Sequence, residues 1–408
     1  MKILVVSSYL PYPLYSGGHI RLYNLLKEIS KNHEITLVCE KRDYQEEKDV
    51  REMEKFCKKV ITVKRRKQWT ASNILRTGFS LQPFLVVGHT NPEMKKVLRE
   101  LLKRENFDLI HVETFYVMQN LPKADIPIVL AEHNIEYLVY KRFTEGLFNL
   151  LRLPFYIDVL KLKRAEKSFW QKADRLIAVS EEEKKLMKRK DTVVVPNGVD
   201  LNQFTLRLRS GQEFQKKERR ILFIGDFKWM QNRDAIKWIL KEIWPKIIFN
   251  FHPPAGGSIF NKFSNSKLKL WIVGKNIPES IRKLGDGCII FDENNNQETP
   301  EIFSQADILL APIRIGGGTS YKILEAMASG TPVITTVLGV EGIEAKDNEE
   351  ILVADSPEKI ADKIINILEN KGFYDKIARN ARKVIEEKYD WEIIAKRLEK
   401  VYESVINE

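Results

Sequence analysis

The stretch Ala311-Pro-Ile-Arg-Ile-Gly-Gly-Gly-Thr-Ser-Tyr-Lys-Ile-Leu-Glu-Ala-Met-Ala-Ser-Gly-Thr-Pro-Val-Ile-Thr335 decides the fold class of this chain. It predicts a strand, a glycine loop, a helix, a turn and a second strand. Gly316, Gly317 and Gly318 leave backbone N–H groups open to an anion, and the helix behind them directs its partly positive N-terminus at the same place. The stretch therefore predicts a phosphate-binding loop, although an ordinary strand-to-helix connection in an α/β protein has the same outline.

Charged residues lie on both sides of this loop in the sequence. Lys322 and Arg314 add positive charge beside the glycines, and Glu325, one turn past Lys322, offers a carboxylate that suits a sugar diol. Thr319 and Ser320 complete the loop. Together these residues predict a nucleotide-sugar site.

Length and composition narrow the class of protein. A chain of 408 residues is long enough for two domains, and its 43% hydrophobic and 30% charged residues are typical of a globular protein. No apolar run approaches the roughly 20 residues of a membrane-spanning helix, and the first apolar run is too short for a secretory signal. Three scattered cysteines fit a reducing compartment and form neither a metal site nor a redox pair. We therefore expect a cytoplasmic protein.

The positive charge lies almost wholly in the first half. Residues 1–200 carry 36 Lys and Arg against 26 Asp and Glu, whereas residues 201–408 carry 31 against 30. Such an excess can attract nucleic acid, anionic lipid or an acidic acceptor, or it can simply be a solvated surface. Nucleic acid is not favoured as a partner, because the chain contains no aromatic-basic RNA motif, zinc finger or helix-turn-helix signature.

Apolar runs alternate with helical patterns along the whole chain, which predicts parallel sheets with helices on both faces. The predicted strands of the first half are Ile3–Ser7, Glu34–Cys39, Lys59–Val63, Leu109–Val112, Ile128–Ala131, Arg175–Val179 and Thr192–Val195. Those of the second half are Ile221–Gly225, Lys269–Val273, Cys288–Phe291, Ile308–Ala311, Val333–Thr335 and Ile351–Val353.

The restart of this pattern gives the domain boundaries. Residues 1–203 form a first Rossmann-like domain, residues 204–220 a linker, and residues 221–385 a second Rossmann-like domain. A long helical pattern from about residue 374 to 407 continues past the last strand, and we expect its last part, residues 386–408, to pack back on the first domain. Residues 250–266 interrupt the alternation of predicted strands and helices, and we interpret them as an insertion.

Two further glycine sites follow predicted strands. Gly17 and Gly18 come after the first strand and open a predicted helix, and Gly225 ends the first strand of the second half. Ligands of open α/β sheets bind at the carboxyl ends of strands. We therefore expect these glycines to let backbone approach a diphosphate or an acceptor.

In order and spacing, these fragments resemble glycosyltransferase family 4, in the branch with a Gly-x-Gly-Thr-x-x-Lys-x-x-Glu loop. The resemblance runs along nearly the whole chain, through Pro11-x-Pro with Gly17, Gly18 and Arg21, and through Phe107–Glu113, Glu132–Glu136, Ala173–Ser180, Val195–Asp200, Phe223–Gly225, the loop at 311–335, Gly339–Gly342 and Tyr389–Trp391. It implies the GT-B fold, in which two Rossmann-like domains with parallel sheets face each other across a cleft. The second domain then holds the nucleotide, and the first holds the acceptor.

Two departures from the family pattern affect the site. Glu325 corresponds to the second acid of the family's Glu-seven-residues-Glu motif, the one that binds the ribose, but Gly317 occupies the place of the first acid, which contacts the donor hexose in many members. Where many members have an Arg and a Lys after Gly225, this chain has Asp226 and Asn232. Four cations are available to stabilise a departing diphosphate, and Lys322 and Arg314 are favoured over Lys228 and Arg233 because they flank the glycine loop.

The first domain contributes candidates of its own. By resemblance, His133 aligns with a histidine that approaches the reactive carbon of the donor sugar, although a lone histidine can also be a structural hydrogen-bonding residue. His111 and Glu113 also lie at a strand end and are candidate acceptor-side residues.

The resemblance implies a retaining enzyme that transfers a sugar from a UDP-sugar or GDP-sugar to a glycan or lipid-linked acceptor in cell-surface polysaccharide or glycoconjugate synthesis, with no metal or other cofactor. A GT-B nucleotide-sugar epimerase and a non-catalytic sugar-nucleotide-binding protein remain alternatives. Residues 146–157 and the basic residues at 161–164 resemble a membrane-surface segment, so the expected location includes the inner face of the membrane; a buried helix pair with a basic rim is the other interpretation.

Overall fold

The computed structural model describes residues 1–146, 149–206, 208, 218–251, 267–293, 295–316 and 318–407. These residues form two compact units, one of residues 1–196 with 391–408 and the other of residues 197–390. Gly317, residues 207 and 209–217 of the predicted linker, and residues 252–266 of the predicted insertion lie outside the described residues.

The first unit contains a parallel sheet with the strand order β3-β2-β1-β4-β5-β6-β7. In the described residues its strands are β1 (Lys2–Ser7), β2 (Glu34–Lys41), β3 (Lys59–Lys64), β4 (Leu109–Glu113), β5 (Ile128–Ala131), β6 (Arg175–Ala178) and β7 (Val193–Val194). Its helices are α1 (Gly17–Ile29), α2 (Glu47–Glu54), α3 (Ala71–Phe79), α4 (Phe84–Gly88), α5 (Pro92–Arg104), α6 (Glu136–Glu145), α7 (Asn149–Lys172), α8 (Glu181–Met187) and, from the end of the chain, α16 (Trp391–Ile406).

The second unit repeats this plan with the strand order β10-β9-β8-β11-β12-β13, again parallel. Its described strands are β8 (Glu218–Ile224), β9 (Lys267–Val273), β10 (Ile289–Asp292), β11 (Ile308–Ala311), β12 (Val333–Thr335) and β13 (Leu352–Val353). Its helices are α9 (Met230–Trp238), α10 (Trp244–Phe251), α11 (Glu279–Arg282), α12 (Thr299–Gln305), α13 (Tyr321–Ser329), α14 (Pro357–Glu369) and α15 (Lys371–Lys388), with a π-helical turn, Ile239–Ile243, between α9 and α10.

The apolar strands form these sheets because both of their faces are covered. In β8, Ile221 and Phe223 enter one core cluster of the second unit, whereas Leu222 enters the cluster on the opposite face. Alternating side chains of one strand thus fill two cores, as expected for a parallel sheet between helical layers. The predicted fold class is confirmed, and each predicted strand lies at its expected place in the chain.

The predicted helix from residue 374 to 407 is wrong in one respect, because the structure divides it into α15 and α16. At the break, the N–H of Val199 donates to the carbonyl of Tyr389 at 2.8 Å, and the N–H of Glu344 donates to the Tyr389 hydroxyl at 2.7 Å. These tertiary bonds hold Tyr389 at the end of α15. The helix that follows, α16, packs against α1 in the first unit.

Strand order gives each sheet a switch point, where a ligand-binding crevice is expected. In the first sheet the order reverses between β1 and β4, and in the second it reverses between β8 and β11. The connections on the two sides of such a point leave towards opposite faces, which opens a crevice at the carboxyl ends of the two strands. Glu113 ends β4, and the glycine loop follows β11.

None of the helices in the described residues combines the length and the apolar composition that are needed to cross a bilayer.

Candidate functional site

The glycine loop joins β11 to α13 in the second unit. Gly316 has a φ of 135° and Gly318 a φ of 77°, backbone conformations that residues with a Cβ rarely adopt. The third glycine of the run, Gly317, lies outside the described residues. Helix α13 then runs from Tyr321 to Ser329. The loop therefore presents the partly positive N-terminus of a nine-residue helix at the carboxyl edge of the sheet.

Thr319 and Ser320 fix the path of this loop. Thr319 is buried, and its hydroxyl donates to the carbonyl of Gly342 at 3.5 Å. The carbonyl of Ser320 accepts the N–H groups of Ile323 and Leu324, which begins the helix. Both residues thus lie where the sequence places them, at the turn into α13, and their binding role stays a prediction.

Lys322 is held by a residue that the sequence analysis did not connect with it. Its ammonium group donates to Asn232 Oδ1 at 2.9 Å and lies 5.0 Å from the centre of the Phe223 ring. The Asn232 amide in turn donates to the carbonyl of Asp226 at 2.8 Å. A Cβ at Gly225 would lie only 2.7 Å from Asn232 Nδ2, so Gly225 makes room for this amide. Gly225 and Asn232 therefore orient Lys322.

Burial also shifts the pKa values of the two charged residues of α13, Lys322 and Glu325. It lowers the pKa of Lys322 to about 8, against the opposing effect of the Glu325 carboxylate. It raises the pKa of Glu325 to about 7, against the opposing effect of the Lys322 ammonium. Both groups therefore titrate near neutral pH, which is common for binding and catalytic residues.

Arg314 lies on the same loop but has an acidic partner. Its guanidinium donates to both carboxylate oxygens of Asp234, at 2.9 and 3.1 Å, and stacks 4.4 Å above the Trp238 ring. A phosphate would have to compete with Asp234 for this group. The assignment of Arg314 to a diphosphate stays a prediction, and Lys322 is the better-placed cation.

In the first unit, Glu113 is the centre of a buried polar cluster at the crevice. Its carboxylate is hydrogen-bonded to His111 Nε2 at 2.7 Å and, through its other oxygen, to His133 Nε2. The Arg21 guanidinium lies 3.6 Å away and donates to the carbonyls of Val195 and Pro196 at 2.8 Å. Because Glu113 and His111 are buried, they support His133 rather than face an acceptor, which corrects the expectation from the sequence.

The Glu113 carboxyl is a stable anion in this setting. Burial raises its pKa, but the nearby His133 and the hydrogen bond from His111 outweigh burial and bring the pKa well below its usual value. An anionic carboxylate accepts hydrogen bonds from both histidines. Glu113 therefore fixes the Nε2 side of both imidazole rings.

Gly18 packs against the His133 ring, and its approach to a ligand stays a prediction. A Cβ at this position would lie 3.1 Å from the His133 ring and from the Tyr9 hydroxyl. The glycine thus lets the imidazole pack against the first turn of α1, which begins at Gly17. His19, whose pKa burial lowers to about 4, lies on the same turn and hydrogen-bonds Ser16 at 2.6 Å. The ring of His133 is therefore held by Glu113 on one side and by Gly18 on another.

Among the described residues, no group of three or more His, Cys, Asp or Glu side chains has the arrangement of a metal site.

Sequence models of two related families match the two units. The model of Glycosyltransferase Family 4 matches residues 15–203, and that of Glycosyl transferases group 1 matches residues 218–370. The chain is a glycosyltransferase, since the two models together cover most of it. This glycosyltransferase is 24% identical to an uncharacterized 44.6 kDa protein in the cps region of Klebsiella pneumoniae, over 100% of this chain and 99% of that protein. It is 22% identical to phosphatidyl-myo-inositol mannosyltransferase of Mycobacterium tuberculosis, over 77% and 78% of the two chains.

Solved structures show the same fold at low identity. Sucrose-phosphate synthase from Thermosynechococcus elongatus has a TM-score of 0.70 at 16% identity over 100% of both chains. HepE of Anabaena in complex with UDP-glucose has a TM-score of 0.63 at 16% identity over 99% of this chain and 100% of that chain. The fold of this glycosyltransferase is therefore GT-B, as the sequence predicted.

Proposed function

We propose that this glycosyltransferase transfers a sugar from a UDP-sugar or GDP-sugar to a hydroxyl of a glycan or lipid-linked acceptor, with retention at the anomeric carbon, in the synthesis of a cell-surface polysaccharide or glycoconjugate. The observation that carries the proposal is the placement of Lys322 beside the glycine loop, at the switch point of the second sheet. A helix N-terminus with a cation on its first turn favours the binding of a diphosphate. The HepE complex with UDP-glucose and the phosphatidyl-inositol acceptor in the name of the mycobacterial relative support the donor and acceptor classes.

The proposed chemistry needs few catalytic groups from the protein. The acceptor oxygen bonds to the anomeric carbon as the bond from that carbon to the diphosphate breaks, and a phosphate oxygen of the donor takes the acceptor proton. Lys322 and the start of α13 stabilise the charge that develops on the leaving diphosphate. Glu325 accepts hydrogen bonds from the ribose hydroxyls, and His133 contacts the donor sugar. No pair of acid and base carboxylates, as in glycosidases, is required.

A substrate screen tests the proposal. The full chain is incubated with UDP-sugars and GDP-sugars and with lipid-linked and glycan acceptors, and products are identified by mass spectrometry and by the anomeric coupling constant in NMR spectra. We expect an α-linked product from an α-linked donor. A Lys322→Ala, Glu325→Ala double variant is the control, and its normal turnover would rule this site out. Interconversion of the donor sugar without an acceptor would instead indicate an epimerase.

Nucleotide affinity is expected to have a narrow pH optimum. Below a pH of about 7, Glu325 gains a proton and becomes a weaker acceptor for the ribose, and above about 8, Lys322 loses its charge. The association constant for a UDP-sugar or GDP-sugar, whose diphosphate does not titrate in this range, should therefore rise through the first value and fall through the second, because it then reports the pKa values of the free protein. Calorimetric titrations across this range measure it. Glu325→Gln should remove the acid limb and keep the alkaline limb; an unchanged profile would contradict the assignment.

We also propose that the first unit binds an anionic membrane from the cytoplasmic side through α3 and α7. Large apolar side chains on these helices are exposed, with Phe79 at 90%, Leu75 at 59% and Leu153 at 68%. The two helices form one surface, because Lys161 of α7 donates to the carbonyl of Thr77 in α3 at 2.7 Å. Residues 147 and 148 of the predicted membrane segment lie outside the described residues.

Charge on this surface favours an anionic bilayer over a second copy of the chain. Residues 65–84 contain four Arg and Lys and no Asp or Glu, and Lys163 and Arg164 of α7 are exposed. A symmetric dimer would bring these like charges together, whereas anionic lipid would neutralise them while the apolar side chains enter the interface.

Vesicle binding tests the membrane proposal. The chain should sediment at low salt with vesicles of equal parts phosphatidylglycerol and phosphatidylcholine, and less with phosphatidylcholine alone. Leu75→Ser with Phe79→Ser should weaken the partition at least about 10-fold, because each buried large apolar side chain is worth about 1.5–3 kcal/mol. Phe249→Ser, an exposed apolar residue of the second unit, is the matched control. Equal sedimentation of all three proteins would contradict the proposal.

A further inference from the structure

A chain of hydrogen bonds connects the C-terminal helix with His133. The Tyr402 hydroxyl of α16 lies 2.8 Å from His111 Nδ1, His111 Nε2 lies 2.7 Å from one oxygen of Glu113, and the other oxygen is bonded to His133 Nε2. Tyr402, His111 and Glu113 are buried. All four residues belong to the first unit, although 291 positions separate Tyr402 from His111.

The direction of each bond follows from the charge of Glu113. A carboxylate only accepts hydrogen bonds, so the Nε2 atom of His111 carries its proton. In the tautomer with its proton on Nε2, the His111 Nδ1 atom is an acceptor, and we assign the Tyr402 hydroxyl as its donor. Burial, followed by the charge of Glu113, raises the pKa of Tyr402 well above its usual value, so the hydroxyl keeps the proton that it donates.

The surroundings hold Tyr402 in this position. Its ring meets the rings of His111 and His33 edge-on, with centroids 5.8 and 6.5 Å apart. One turn earlier on α16, Glu399 accepts a hydrogen bond from the Asn32 amide at 2.9 Å and lies 3.1 Å from His33 Nε2. These contacts fix α16 against the end of α1 and keep the hydroxyl directed at His111.

We infer that Tyr402 is a positioning residue of the transfer reaction: its hydroxyl donates to Nδ1 of the Nε2-protonated His111 that the Glu113 carboxylate requires, and so holds the ring that orients Glu113 and through it the imidazole of His133. The inference rests on the proposed role of His133 at the donor sugar. Without the hydroxyl, His111 Nδ1 loses its donor, and the ring can turn or change tautomer. The hydrogen bond from His111 to one Glu113 oxygen is then weakened. The effect on His133 is one of orientation, since Tyr402 does not itself touch it.

Tyr402→Phe tests this inference, because it removes one hydroxyl and keeps the ring. We expect kcat for transfer to fall by about 10-fold to 100-fold, as for other supporting residues one step removed from the reacting groups. The KM for the donor should change by less than about 2-fold, because the nucleotide part of the donor is assigned to the second unit. Tyr389→Phe, which removes a buried hydroxyl of the second unit, is the matched control and should keep the kcat of the unaltered chain.

Imidazole nitrogen spectra provide a readout that does not depend on turnover. The chain has six histidines, so single substitutions can assign each signal. The unaltered protein should show one His111 tautomer, protonated at Nε2. In Tyr402→Phe, we expect His111 no longer to show a single tautomer and the His133 signals to shift. If no donor and acceptor react, the proposed function fails, and the spectra still decide the inference. Unchanged His111 and His133 signals in Tyr402→Phe, or an unchanged kcat, would overturn it.

Discussion

Lys322→Met is expected to lower kcat for sugar transfer by about 10²–10³-fold, the usual cost of removing one group that stabilises charge in the transition state. The leaving diphosphate gains negative charge as its bond to the sugar breaks, and the ammonium group of Lys322, on the first turn of the helix after the glycine loop, is oriented by Asn232. Burial makes this charge more effective than one in water. Initial rates at saturating donor measure the effect. The donor KM should rise less than kcat falls, because the charge is greatest in the transition state.

Lys228→Met is the matched control for this experiment. Lys228 lies three residues after Gly225 and is exposed, and the sequence offered it as an alternative cation for the diphosphate. A surface charge of this kind should change kcat by less than about 2-fold. A larger loss in Lys228→Met than in Lys322→Met would mean that the diphosphate lies nearer to α9 than to α13.

Glu113→Gln is expected to lower the free energy of unfolding by about 3–5 kcal/mol, the cost of removing one partner from a buried charged cluster. The substituted amide would direct N–H groups at His111 or His133, both of which donate to the carboxylate, and Arg21 would lose its nearby anion. The folded pKa of Glu113 is depressed, so its stabilising effect is full above the unfolded value of 4.5 and is lost as the pH falls below it. Transfer activity should be lost together with the orientation of His133.

Urea denaturation, followed by circular dichroism, measures this change. Glu105→Gln is the control, because Glu105 forms an exposed ion pair with Lys59 in the same unit, at 2.8 Å. That pair should contribute less than about 1 kcal/mol. If the two variants had equal free energies of unfolding at neutral pH, the Glu113 carboxylate would not stabilise the fold in the way that its hydrogen bonds indicate.

The sequence was informative wherever the structure depends on neighbours along the chain. Fully buried parallel strands appear as short apolar runs, and the glycine loop with its helix has a local signature, so the strands and the loop could be predicted from the residues; the GT-B fold followed from the family resemblance. The positive φ values of Gly316 and Gly318 explain why this local pattern is so specific.

What could not be predicted depends on contacts between distant residues. Asn232 was noted only as a departure from the family pattern, yet it holds Lys322 across 90 positions. Nothing in the sequence connects Tyr402 with His111, and a helical period alone gave no reason to end α15 at Lys388. The exposed apolar face of α3 was also missed, because its residues have a helical spacing that is equally typical of a core helix.

Calorimetric titration of the full chain with UDP and GDP, near the pH of 7.5 that lies midway between the pKa values of Glu325 and Lys322, is the most direct test of the nucleotide site. Saturable binding of one nucleotide at one site per chain is expected, with large losses in affinity for Lys322→Met and Glu325→Ala and none for Lys228→Met. Binding that survives both substitutions on α13, or the absence of binding to either nucleotide, would contradict a diphosphate site at the glycine loop.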